Sequence, residues 1–100
     1  MEDKTAEYAA IFDENLKAHG TDFEAGIAME ECAELIQAIS KVRRYGFVGK
    51  YKDNLLEEIA DVDIVLTELT MMFEIEGEEF YSVLDRKVQR IKERLEERRD

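Results

Sequence analysis

Apolar residues recur along this chain every three or four positions, and nowhere do they alternate strictly with polar ones. Tyr8, Ile11, Phe12 and Leu16 predict a first helix from about Asp3 to His19. Phe23, Ile27, Leu35, Ala38 and Val42 predict a second, from about Phe23 to Tyr45, with Thr21 or Asp22 as its N-cap. Leu55, Ile59, Val62, Val65, Leu66, Leu69 and Phe73 predict a third, from about Asn54 to Glu76, capped by Asp53. A fourth stripe, Phe80, Leu84, Val88, Ile91 and Leu95, predicts a helix from about Glu78 to Arg98. There is no proline; Gly20, Gly46, Gly49 and Gly77 fall between the stripes, and only Gly26 lies inside one. Long helices with tight joins predict an all-α fold: one domain over residues 1–100, an antiparallel four-helix bundle-like protomer.

Two of the stripes are interrupted by acids. Glu31 and Glu34 stand within the apolar stripe of the second helix, four and seven residues after Ile27. Glu58 lies inside the stripe of the third, and Asp61 lies at its edge. An ionised carboxylate turned toward a packed interior costs several kcal/mol at least if it has no partner. Clustering like charges raises that cost. Three arrangements relieve it: raised pKa values, basic side-chain partners, or a divalent cation. Two pairs at i,i+3 on neighbouring helices offer four oxygen ligands, a donor set suited to Mg²⁺, which keeps several waters for a phosphate substrate. Mn²⁺ is a possible substitute. With one cysteine and one histidine in the chain, zinc and copper fit poorly.

Charge and composition narrow the function class. Twenty-five acidic against 14 basic residues give a formal net charge of −11, which argues against general nucleic-acid binding. An apolar fraction of 45% is that of an ordinary folded protein. The lone Cys32 excludes an internal disulfide and is expected to be a small buried apolar residue; Met29, Met71 and Met72 are expected in core or interface packing. No apolar run approaches the length needed to span a bilayer, and the charged Met1-Glu2-Asp3-Lys4 start leads into no signal-type segment, so no membrane partner and a cytoplasmic location are expected. A chain of 100 residues with one wide apolar face per helix gains stability by burying it against a second copy.

The acidic segments carry a resemblance. Met29-Glu30-Glu31-Cys32-Ala33-Glu34-Leu35 followed by Leu56-Glu57-Glu58-Ile59-Ala60-Asp61-Val62 resembles the E-x-x-E … E-x-x-D signature of the all-α NTP pyrophosphohydrolases, the MazG-like superfamily. The likeness runs from about Phe23 to Phe73 and extends weakly into the last helix, where Lys87, Arg90 and Arg94 resemble the family's basic C-terminal element. It implies hydrolysis of a nucleoside triphosphate to the monophosphate and pyrophosphate, with Mg²⁺ held by Glu31, Glu34, Glu58 and Asp61. It implies a homodimer or a dimer of dimers in which helices of two chains complete each site. It suggests a role in removing surplus or non-canonical deoxynucleotides.

Within that reading, Glu30 or Glu31 is the expected general base or water-orienting group. Lys87 and Arg94, with Arg90 beside them, border the fourth stripe where they would reach triphosphate oxygens. Arg43, Arg44, Lys50 and Lys52 alternate with Tyr45, Phe47 and Tyr51 in the expected connector, so Lys50 joins the candidate phosphate ligands. Asn15 and His19 line up with Tyr8 and Phe12 and are candidates for contacts to base or sugar, although His19 also suits a helix C-terminus. Three other readings compete. A di-iron bundle would need Glu-x-x-His pairs, which are absent. A phosphoribosyl-ATP pyrophosphatase would be expected to carry Tyr-His after Asp61, where this chain has Val62-Asp63. A non-catalytic oligomerisation or regulatory module would have no reason to keep four clustered acids.

Overall fold

The computed structural model describes residues 2–99; Met1 and Asp100, the two ends of the expected domain, lie outside the described residues. Four helices follow one another: α1 (Thr5–His19), α2 (Thr21–Tyr45), α3 (Gly49–Met72) and α4 (Gly77–Glu97), with no strand among the described residues. The all-α class expected from the stripes is the class observed. None of the helices is long and apolar enough to cross a membrane.

The joins depend on local backbone chemistry, and here the boundaries depart from expectation. Asp3 stands before α1, not in it: its Oδ1 accepts from the Thr5 backbone N–H at 3.0 Å and from the Thr5 hydroxyl at 2.6 Å. Those bonds hold the Asp3 carboxyl below its usual range. The α1–α2 join is Gly20 alone, at φ +87, a value a side chain would rarely permit. α2 therefore starts at Thr21, and neither Thr21 nor Asp22 serves as a side-chain cap.

The expected connector before Asn54 is mostly helix. Val48 is extended, and its carbonyl accepts from the Tyr51 and Lys52 N–H groups, so α3 starts at Gly49 and Asp53 lies inside it. Tyr45 stacks on Tyr51 with ring centroids 4.7 Å apart, tying the end of α2 to the start of α3. Lys50 and Lys52 lie over the Tyr51 and Phe47 rings. At the other end α3 stops at Met72, short of Glu76. Glu74 takes φ +52, its N–H donates to the Met71 carbonyl, and the Ile75 N–H donates to the Thr70 carbonyl. This is the Schellman arrangement with glutamate where glycine usually stands.

α2 and α3 form an antiparallel hairpin, and α1 crosses against both. Among the described residues the apolar side chains kept from solvent are few: Leu16, Ala28, Ala38 and Val65. α4 packs on no other helix of its own chain, so its stripe of Phe80, Leu84, Val88, Ile91 and Leu95 is exposed. So are several residues expected in the packed stripes, among them Phe23, Ile59, Leu66 and Phe73. Cys32, expected to be buried, is exposed, and so is Met29, while Met71 and Met72 are half-buried. In each case the apolar face exists but nothing among the described residues covers it.

Magnitudes make the same point. A folded protein of 11.7 kDa typically exposes about 5,900 Å². This chain exposes 8396 Å², and its radius of gyration is 16.9 Å where a compact domain of its length has about 13 Å.

Candidate functional site

The hairpin brings the two acidic motifs face to face. On α2, Glu31 and Glu34 are one turn apart; on α3, so are Glu58 and Asp61. Because the helices run antiparallel, Glu31 faces Asp61 and Glu34 faces Glu58 across the hairpin. Carboxylate oxygens of Glu31, Glu34 and Glu58 all lie within 4.8 Å of one another. Among the described residues, no lysine, arginine or histidine forms an ion pair with any of the four.

That arrangement is electrostatically uncomfortable. Burial, then the charges of Asp61 and Glu34, hold the Glu31 carboxyl above the ordinary glutamate range. Burial, then Glu34 and Asp61, do the same to Glu58. Glu31 Oε2 and Glu58 Oε2 are both buried with no hydrogen-bond partner. Oxygen atoms withdrawn from water in this way call for a proton or a cation. Of the three ways to relieve clustered acids, basic partners from within the chain are thus absent among the described residues. Glu31, Glu34 and Glu58 are placed where they could share a hard divalent cation, while Asp61, the fourth expected ligand, faces Glu31 but lies outside the group whose oxygens are all within 4.8 Å; none of the softer ligands that would favour zinc or copper belongs to the group.

A cavity of about 340 Å³ adjoins the cluster where α1 crosses the hairpin. Ile27, Ile64 and Val65 give it an apolar wall, and Phe23 stands at its side, with its ring 5.7 Å from that of His19. Glu31 and Asp61 form the border with the carboxylate cluster. Asn15 reaches this cavity from α1, its Nδ2 donating to Glu68 Oε2 at 2.8 Å. His19, the last residue of α1, places Nδ1 3.0 Å from Glu24 Oε1. Glu24 and Glu68 are only 5% and 3% exposed.

These two acids were not among the candidates read from sequence. A signal for them exists: Glu24 precedes Glu31 by seven residues and Glu68 follows Asp61 by seven, two helical turns along the same faces. The acidic seam runs further along the hairpin than the motifs alone suggest.

The remaining candidates stand elsewhere. Glu30 is exposed on α2, outside the cluster. Lys50 sits in the first turn of α3, two turns and roughly 12 Å along the helix from Glu58. Lys87, Arg90 and Arg94 ride on α4, which does not approach the hairpin of its own chain. Compared with known proteins, the chain matches no family model, no curated protein and no solved structure.

Proposed function

We propose that this chain is a Mg²⁺-dependent nucleoside triphosphate pyrophosphohydrolase, converting a (d)NTP and water to the (d)NMP and pyrophosphate. The observation that carries the reading is the meeting of Glu31, Glu34 and Glu58 across the hairpin, with Asp61 beside Glu31, two buried oxygens unpartnered and no ion pair to any of them among the described residues. The position of the cleaved bond rests on the resemblance of the two motifs.

The four carboxylates would hold Mg²⁺, with Mn²⁺ as a substitute. When bound, the ion supplies charge neutralisation for the phosphate oxygens and makes an attacking water easier to deprotonate. Glu31 borders both the cluster and the cavity, whereas Glu30 belongs to neither, so Glu31 is the one assigned to orient the water and take its proton. The water oxygen bonds to the α-phosphorus, the α–β anhydride bond breaks, and pyrophosphate leaves with the bond's electron pair. The adjoining cavity, with its aliphatic wall and Phe23, takes the nucleoside.

The working unit in this reading is a homo-oligomer, a dimer or a dimer of dimers. The exposed stripe of α4 and the roughly 2,500 Å² of surface in excess of a compact chain support it. Lys87, Arg90 and Arg94 then reach the triphosphate from a second copy, since α4 does not approach the site of its own chain.

The test is incubation with Mg²⁺ and a panel of NTPs and dNTPs, dUTP included, with products separated by chromatography. Monophosphate plus pyrophosphate, abolished by EDTA, is the expected outcome. Diphosphate plus phosphate would place the cut elsewhere, and absence of turnover with metal bound would favour the regulatory module.

A further inference from the structure

The face of the hairpin that carries the four acids borders a hollow on either side of them, and the two hollows differ in chemistry. Seven residues from Glu31, Glu34, Glu58 and Asp61 in one direction stand Glu24, Ile27, Val65 and Glu68, all of which line the cavity beside α1. Seven residues the other way from Glu34, Glu58 and Asp61 stand Lys41, Tyr51 and Asn54. With Tyr45 and Lys50 these line a pocket of about 420 Å³ at the closed end of the hairpin, where α2 gives way to α3. A step of seven residues is two helical turns, roughly 10 Å, and returns a side chain nearly to the same face. No acid lines this pocket, and Asp53, a sequence neighbour of Asn54, is not part of it. From Leu35 to Lys52 the chain has no acid at all and five bases: Lys41, Arg43, Arg44, Lys50 and Lys52. Among the described residues none of the five forms an ion pair. The stacked rings of Tyr45 and Tyr51 form one wall, and Lys50 Nζ lies 5.4 Å from the centre of the Tyr51 ring.

A ligand suited to this pocket brings negative charge and hydrogen-bond acceptors. Lys41 and Lys50 each offer an ammonium group with three donors, and Asn54 and the two phenols add others. We infer that the pocket binds a phosphate chain, and that in the proposed reaction it receives the phosphates beyond the cleaved bond. That second clause rests on the proposed function. A phosphate chain carries several anionic oxygens at close spacing, so one molecule can engage both ammonium groups at once. With the nucleoside in the cavity beside α1 and the anhydride at the carboxylates, the rest of the chain continues along the same face toward the bases. Lys41 carries its charge on a flexible four-carbon stem, which covers much of the two-turn gap back to Glu34. The lysines would then stabilise the negative charge that gathers on the departing pyrophosphate.

Inorganic tripolyphosphate, titrated into the full chain in EDTA and followed by NMR, tests the pocket with neither metal nor turnover. Without a cation the carboxylates repel such a ligand, so binding has to come from the bases. The amide signals of Lys50, Tyr51 and Asn54 are expected to shift, and Lys41→Ala/Lys50→Ala to weaken binding at least about tenfold. Arg43→Ala/Arg44→Ala removes the same charge beside a separate hollow, lined also by Ile36, Ile39 and Ser40, and should stay within a few-fold of the wild type. In turnover, the lysine variant is expected to raise KM for a (d)NTP at least about tenfold while kcat changes less, with helical circular dichroism retained. Absence of binding, wild-type affinity in the lysine variant, or equal losses from the two double variants would overturn the inference. Should the lysine variant not fold, Lys41→Gln and Lys50→Gln singly take its place, each expected to weaken tripolyphosphate binding about threefold. Hydrolysis with KM unchanged in the lysine variant sinks this inference and leaves the proposed function standing; lysine-dependent binding in a chain that hydrolyses no (d)NTP does the reverse.

Discussion

Two sets of carboxylates stand two to three helical turns apart on the same pair of helices and have opposite surroundings. Glu24 and Glu68 are almost wholly buried, yet each meets a side chain from α1, His19 for the first and Asn15 for the second. Two turns along the hairpin, Glu31 and Glu58 are only half-buried, yet they face other acids and keep unpartnered oxygens. Depth of burial is therefore a poor guide to which acid is structural. The deeper pair is satisfied from inside the chain and needs nothing more. The shallower group lies beyond the polar reach of α1 and finds no basic partner among the described residues.

The sharpest way to break this contrast is to remove a carboxylate at each level. Glu58→Ala is expected to lower kcat/KM for triphosphate hydrolysis by at least about 100-fold, with helical circular dichroism retained. An active Glu58→Ala protein would show that the shallow cluster is not the chemical centre.

Magnesium should stabilise the fold through the shallow group. At a concentration 100 times its dissociation constant, a ligand of the folded state adds about 2.7 kcal/mol, which for a chain of this size raises Tm by on the order of 10 °C. A thermal scan with and without Mg²⁺ measures this, and the double variant Glu31→Gln/Glu58→Gln should lose the shift. If both proteins respond alike, the ion acts elsewhere.

At the deep level the expectation reverses. Asn15→Ala leaves Glu68 buried without its donor and should cost about 1–3 kcal/mol in urea unfolding. Glu31→Gln, which removes a repelled charge, should not destabilise the metal-free protein. Equal losses from the two changes would erase the distinction.

The smallest effect is in pH. Raised carboxyl pKa values mean that the folded chain binds these protons more tightly than the unfolded one. Without divalent cations their contribution to stability therefore falls as pH rises above the ordinary glutamate value of 4.5 toward the raised values. The wild type should lose stability over that window relative to Glu31→Gln/Glu58→Gln. Added Mg²⁺ should flatten the difference.

Much of this was legible in the sequence, and the rest was hidden for physical reasons. The 3.6-residue period of the stripes is a property of each helix alone, so four helices could be read before any packing was known. Their ends could not, because Gly49 begins α3 through the Val48 turn and the Tyr45–Tyr51 stack, and α3 stops where Glu74 adopts a conformation usual for glycine. The four clustered acids were visible because their spacing placed them on apolar faces. Glu24 and Glu68 obeyed the same spacing, but their partners lie on another helix, and that pairing is a tertiary fact. A stripe also says which face seeks cover without saying what supplies it, which is why Cys32, Phe23 and all of α4 are more open than expected.

The scarcity of dry side chains has a consequence for how this molecule is handled. With only Leu16, Ala28, Ala38 and Val65 as shielded apolar side chains among the described residues, most of the apolar area that could drive folding stays open to solvent in the single chain. If copies of the chain cover it, as proposed, folding and association become one equilibrium whose midpoint moves with protein concentration. Dilution is expected to act on this chain much as urea acts on a self-sufficient domain, so an assay at nanomolar enzyme and a melting curve at micromolar protein would sample different populations.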